Sequence, residues 1–321
     1  MNTQAERLRS LANPPRATPP LSDPLVANAR TVTRWSGVGR PPVLDAPRTQ
    51  SAELRRSRGA GRLAIPSLAL LSGQNGVGRT SLAISLATQL AAHSRVALVD
   101  LDLERSDAPR DLGLEWEDAI GAVLRGQRPL GQALVELPSG LQVLSGGALC
   151  KELRGSGEVS RSGRSRLVSR LNDLQACVDV LTLDLACGWQ TSTYELASAA
   201  RLAVLVLTPE ASAITTGYAL LKRFLQDPRR RGPGFGVVVN GACRAEGERI
   251  GRGFAEVARR FHGVDVPVLG VIPQDPLVEV ARAARRPFVT HSPTSPASQA
   301  CARLAERVRV ELSVPRAKES L

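Results

Sequence analysis

Aromatic side chains are scarce in this chain: they make up 3% of its 321 residues. A core built on stacked rings is therefore excluded, and leucine, valine and alanine must supply the interior. A nucleic-acid surface of interleaved aromatics is also unsupported, since Trp35 stands alone in the basic N-terminal region. Long apolar runs are missing too. No stretch approaches the roughly 18–20 residues of a membrane span. No apolar segment follows Met1-Asn2-Thr3-Gln4, so a secretory signal is not expected. The five cysteines (Cys150, Cys177, Cys187, Cys243, Cys301) form no CxxC pair. Most read as small buried apolar residues in a reducing cytoplasm. His93, His262 and His291 have no metal-ligand spacing.

What is present is a sizeable apolar fraction, 43%, and a net charge of +12, mostly from arginine. The length suits one large α/β domain plus a tail, or two modest domains. The charge is uneven. Residues 1–62 hold eleven arginines against four acids, +7 of the total. Residues 13–62 also carry Pro14-Pro15, Pro19-Pro20, Pro24, Pro41-Pro42 and Pro47 without periodic apolar residues. Such a segment cannot bury enough surface to offset its ordering entropy, so disorder is expected. It reads either as a solvated basic linker or as an attractor of anionic lipid or nucleic acid. Ahead of it, Ala5, Leu8 and Leu11 recur at three-residue spacing, the pattern of a small amphipathic helix. Alone it is too short to be stable in water.

From Ser67 onward the pattern alternates. Continuous apolar runs at 68–71, 96–99, 141–144, 178–183, 203–207, 236–239 and 268–272 read as buried strands. Helical patterns at 80–92, 117–125, 164–176, 214–225, 250–261 and 295–312 separate them, and the Gly/Ser-rich stretch 146–163 reads as a loop. Apolar strands alternating with helices predict an α/β fold, a mostly parallel sheet with helices on both faces. The expected division is a partner-binding helix (1–12), a linker (13–62), one α/β domain (63–312) and a tail (313–321).

The stretch Ser72-Gly73-Gln74-Asn75-Gly76-Val77-Gly78-Arg79-Thr80-Ser81 joins the first strand to the first helix. Its spacing is that of the phosphate-binding loop G-x-x-x-x-G-K-[ST], with arginine in place of lysine. The glycines allow a tight turn, and backbone N–H groups at a helix N-terminus attract phosphate. Thr80 is placed to hold Mg²⁺. Asp184, at a strand end, is a second candidate ligand, and the N–H of Gly188 is placed for a terminal phosphate. Asp100 and Asp102 lie two apart at another strand end and point the same way. One could orient an attacking water and the other support the metal. Each of these acids also has a plain reading as a cap or turn residue.

Together with Thr208-Pro209-Glu210-Ala211, Val238-Val239-Asn240 and Gly270-Val271-Ile272-Pro273, these segments resemble the MinD/ParA branch of P-loop ATPases (SIMIBI type) over about residues 66–310. Within it the chain is most similar to the FlhG (YlxH) group, regulators of flagellar number and placement. The resemblance implies ATP and Mg²⁺ as cofactors and an ATP-dependent homodimer. It implies Asp102 and Arg79 as catalytic residues, and Thr80, Asp100 and Asp184 around the metal. Gly73, Gln74, Asn75, Gly76, Val77, Gly78, Arg79, Thr80, Ser81, Gly188 and Asn240 would line the nucleotide. Asn240 matches the position that touches adenine, and Glu210 an interface near the nucleotide. Gln4-Ala5-Glu6-Arg7-Leu8-Arg9 is similar to the D-Q-A-x-x-L-R segment by which that group stimulates an FlhF-like GTPase, with Thr3 replacing the acid. Gln4, Leu8 and Arg9 would make that contact.

The departures are as specific as the matches. The family loop reads K-G-G-x-G-K-[ST], and the resemblance implies that its first lysine crosses the dimer interface to the partner's phosphate; here that lysine is Gln74, the next glycine is Asn75 and the second lysine is Arg79. Arginine keeps the charge but carries a planar fork instead of a point charge. Phosphoryl transfer depends on positioning, so nucleotide binding with slow or absent hydrolysis is expected. A separate C-terminal membrane helix is not expected, because Pro315 interrupts the short tail. Any contact with the inner face of a membrane would fall to the basic linker and be weak and salt-dependent. Nucleic acid is not an expected partner. Two alternatives stand beside the switch: a scaffold that has lost catalysis, and a ParA-like partition protein.

Overall fold

The computed structural model describes residues 62–102, 105–115, 117–146, 161–188, 191–226 and 233–313. The expected N-terminal helix, most of the linker, most of the loop before residue 161 and the residues beyond 313 lie outside them.

Eight strands form one sheet: β1 (Ser67–Leu71), β2 (Val96–Leu101), β3 (Val135–Glu136), β4 (Gln142–Ser145), β5 (Val180–Leu185), β6 (Leu202–Leu207), β7 (Gly234–Asn240) and β8 (Val268–Ile272). Their order is β3-β4-β2-β5-β1-β6-β7-β8. Every pairing is parallel except β3 with β4. The described helices are α1 (Arg79–Ala91), α2 (Asp107–Asp111), α3 (Ala119–Leu124), α4 (Leu130–Ala133), α5 (Arg161–Asn172), α6 (Thr191–Ala199), α7 (Ala211–Leu225), α8 (Arg244–His262), α9 (Pro276–Ala283), α10 (Phe288–His291) and α11 (Pro296–Leu312). The mostly parallel α/β sheet expected from the apolar runs is therefore present.

Continuous apolarity in the strands has a direct cause: both faces of the sheet are covered. Successive residues point to opposite faces. Ala69 and Leu71 of β1 join one core with Leu167 and Leu171 of α5, Leu196 of α6, Leu220 and Phe224 of α7 and Phe254 of α8. Leu68 and Leu70 join the other core with Leu82 and Leu86 of α1 and Leu304 and Val308 of α11. Five of the described aromatics, Tyr194, Tyr218, Phe224, Phe235 and Phe254, gather on the first face, where the Phe224 ring lies 4.7 Å from Tyr194 and 5.4 Å from Phe235.

Several elements differ from the sequence expectation. Helix α6 had no strong apolar period; it forms because Leu196 and Ala197 pack into the core. Helix α9 is set by its ends: Pro276 opens it and Asp275 caps it, its Oδ1 accepting from Leu277 N at 3.0 Å. Asp275 Oδ2 also accepts from Ala297 N at 3.1 Å, which ties α9 to the start of α11. Strands β2 and β5 run past Asp100 and Asp184, so both acids lie within strands and face each other in register.

Candidate functional site

The carboxyl ends of β1, β5 and β2 lie side by side because β5 pairs with both neighbours. Beyond β1 the chain turns through residues 73–78 into α1. Gly78 takes φ 77°, a left-handed conformation that only glycine adopts without strain. No side chain caps α1, and its first turn contains no acid. Its leading N–H groups thus face outward as a ready site for an anion. At Gly73 a Cβ would run into the Thr216 backbone of α7, so the loop is seated against that helix.

Arg79, the first residue of α1, turns back beneath the loop. It is 6% exposed. Its Nε donates to Asp184 Oδ1 at 2.8 Å, Nη2 to Asp102 Oδ2 at 2.7 Å, and Nη1 to Ser72 Oγ at 3.1 Å. One guanidinium thus bridges two buried acids from two strands. Burial works against its charge, but Asp184 and Asp102 outweigh that cost and hold the guanidinium more firmly protonated than a free arginine.

The remaining oxygens are largely satisfied from within. Asp100 Oδ1 accepts from Asp102 N at 3.0 Å, and Asp100 Oδ2 from Ser106 Oγ at 2.9 Å. Asp102 Oδ1 accepts from Arg105 N at 3.2 Å. Five of the six carboxylate oxygens therefore have donors, and Asp184 Oδ2 is buried without one. Burial, then the neighbouring Asp184 charge, pushes the Asp100 carboxyl up to about 8, against the pull of Ser106 and Asp102 N–H. Burial also raises Asp184, and Arg79 opposes it. The Thr80 hydroxyl favours its ionised form too, yet leaves Oδ2 without a hydrogen bond of ordinary geometry.

A family model for ParA, described as NUBPL iron-transfer P-loop NTPase, matches residues 66–309. The chain is 30% identical to the antiactivator FleN of Pseudomonas aeruginosa over 243 residues, covering 75% of this chain and 85% of that one. It is 26% identical to the flagellum site-determining protein YlxH of Helicobacter pylori, over 48% of this chain and 52% of that one. Among solved structures, the MinC:MinD cell division protein complex of Aquifex aeolicus superposes with a TM-score of 0.61 at 25% identity, covering 78% of this chain and 97% of that one. The chain belongs to the ParA/MinD family of P-loop NTPases. Membership implies a nucleotide site and usually Mg²⁺.

Against that family frame, the residues split into two groups. The uncapped start of α1 and the open turn at Gly76, where a Cβ would meet nothing within 4 Å, fit a phosphate chain. The acids do not fit a magnesium ion as they stand. Mg²⁺ demands close, near-octahedral oxygen ligands; here Arg79 and Arg105 N engage both oxygens of Asp102, Arg79 engages Oδ1 of Asp184, and Asp184 Oδ2 alone is left. Asp100, expected near a metal, spends both oxygens on its own loop.

Other expected site residues also have partners inside this ParA/MinD-type chain. Asn240 Nδ2 donates to Val77 O at 2.8 Å and so braces the loop from β7. Gly188 N donates to Ser72 O at 2.9 Å rather than pointing outward. Gln74 Nε2 donates to Glu210 Oε2 at 3.1 Å, which links the loop to the start of α7. Asn75 and Gly76 are exposed at the tip, Val77 is buried, and Thr80 and Ser81 are half-buried on the first turn. Gln4, Leu8 and Arg9 lie outside the described residues. Two residues were not foreseen. Ser72 shares Arg79, and Ser106, at φ 47°, reaches Asp100. A serine at a strand end or loop gives no local signal of such a role.

Proposed function

We propose that this chain is a nucleotide-binding switch of the MinD/FlhG kind, one that holds ATP or ADP and turns it over slowly or not at all. The observation that carries the reading is the double ion pair of Arg79 beneath an uncapped helix N-terminus. The N-terminus supplies donors for phosphate. The ion pair engages Asp102, the acid expected to orient an attacking water, through both of its oxygens once Arg105 N is included. A carboxylate so held cannot freely accept a proton from water or align it.

The downstream role we infer is control of flagellar number or placement, through ATP-dependent dimerisation and an FlhF-like GTPase contacted by residues 3–11. The likeness to FleN and to the flagellum site-determining YlxH supports it, as does the Gln4–Arg9 segment. A scaffold without nucleotide is the second reading, favoured by the near-complete internal satisfaction of the acid cluster.

Calorimetry with ATP and ADP, followed by turnover assays with and without the GTPase, tests the reading. Binding with turnover far below that of Arg79→Lys is expected. Vigorous partner-stimulated hydrolysis that Asp102→Ala abolishes would overturn the impaired-hydrolysis reading. An empty site at saturating nucleotide would leave the scaffold.

A further inference from the structure

We propose that Arg79 is the resident cation of this site, so that nucleotide binding does not depend on a divalent metal. This rests on the nucleotide-binding reading above and goes beyond it. A Mg²⁺ ion at such a site neutralises strand-end carboxylates while the nucleotide's phosphates are present. Here a covalently attached guanidinium already sits between those carboxylates, 2.8 Å from Asp184 and 2.7 Å from Asp102. Nη1 donates a further N–H to Ser72 Oγ, so the fork is fixed in orientation as well as in place. The side chain is 6% exposed, and its planar fork directs separate N–H groups at the two acids, where a lysine would offer one point charge.

A divalent ion could take the guanidinium's place only by breaking both ion pairs and leaving it buried beside a like charge, and without displacing it would find a single unengaged carboxylate oxygen, Asp184 Oδ2, too few for a magnesium shell. The phosphate donors stand apart from this cluster: they are the backbone N–H groups of the loop and of the first turn of α1, which no side chain caps. The two tasks that one metal-bound nucleotide ordinarily joins, neutralising the acids and holding the phosphates, are thus divided between Arg79 and the backbone. Among the described residues no group of three or more histidine, cysteine and acidic side chains is arranged to hold a metal ion.

The test is the affinity of a fluorescent ADP or ATP analogue for the full chain, measured in excess MgCl₂ and in excess EDTA. For the wild type the two dissociation constants should agree within about threefold. Arg79→Lys, whose compact ammonium lacks the planar fork that fixes both acids and Ser72, should regain a metal effect of about tenfold or more. If Arg79→Lys does not fold, electron paramagnetic resonance of Mn²⁺ with the wild type and ADP decides: the spectrum of free aqueous Mn²⁺ should persist. A tenfold gain from MgCl₂ in the wild type, or a protein-bound Mn²⁺ signal, overturns the proposal and leaves nucleotide binding intact. No binding of the analogue in either buffer overturns this proposal and the nucleotide reading together.

Discussion

Removing the Arg79 guanidinium would strand two carboxylates in the interior. Asp184 is fully buried and Asp102 is 5% exposed, so neither has water to replace the lost partner. Arg79→Ala should therefore lower unfolding stability by about 3–5 kcal/mol, read from urea denaturation. A loss near zero would show that the acids are neutral or hydrated. Arginine is the chain's general cation, with lysine at 151, 222 and 318, so its presence at 79 carries little information by itself. Its three bonds carry the meaning. Asp100 makes a second prediction at this scale. An unfolded aspartate titrates near 3.8, while in the fold Asp100 titrates near 8. Between those values the folded chain keeps a proton that the unfolded chain has released. Its contribution to stability is full below about pH 4, falls by up to about 1.4 kcal/mol per pH unit as pH rises, and levels off above about 8. Asp100→Asn should flatten that slope in denaturation curves taken across the window. Equal slopes for the two proteins would mean that Asp100 is ionised in the fold at neutral pH.

The elements hold the loop by contact from several sides. Helix α7 presses Thr216 against Gly73, β7 sends Asn240 to Val77 O, and the segment after β5 sends Gly188 N to Ser72 O. Gly73→Ala should push α7 and the loop apart at a cost of about 1–3 kcal/mol, measured by denaturation together with nucleotide affinity. An unchanged affinity and midpoint would mean that the loop moves freely over α7. At this scale the sequence was informative where the pattern was long. The apolar strands and the helices over 79–91, 211–225 and 296–312 follow from residue periodicity, because burial on one or two faces imposes it. Helices α6 and α9 and the two-residue β3 were not legible as elements in the residue pattern. Their lengths give too few repeats of a period, and they owe their conformation to packing or to caps such as Asp275. The loop was legible for a different reason: its glycines are required locally by backbone geometry.

At the scale of the molecule, the missing family lysine matters most. Gln74 is neutral, and its amide is bonded to Glu210 of its own chain. The ATP-dependent dimer we propose therefore lacks one charged contact across its interface. Sedimentation should find a weak, ATP-specific dimer for the wild type and a tighter one for Gln74→Lys. A molar mass indifferent to ATP in both would remove dimerisation from the reading. Among the described residues no helix is long and apolar enough to cross a membrane.

Local chemistry alone determined that this chain would build a parallel α/β sheet and place a glycine turn before a helix, since both depend on residues within a few positions of one another. Only the tertiary structure decided what Arg79 does. Its partners lie 23 and 105 residues away, and no local pattern links them. They meet because β5 pairs in parallel between β1 and β2, bringing the ends of three strands together around one guanidinium.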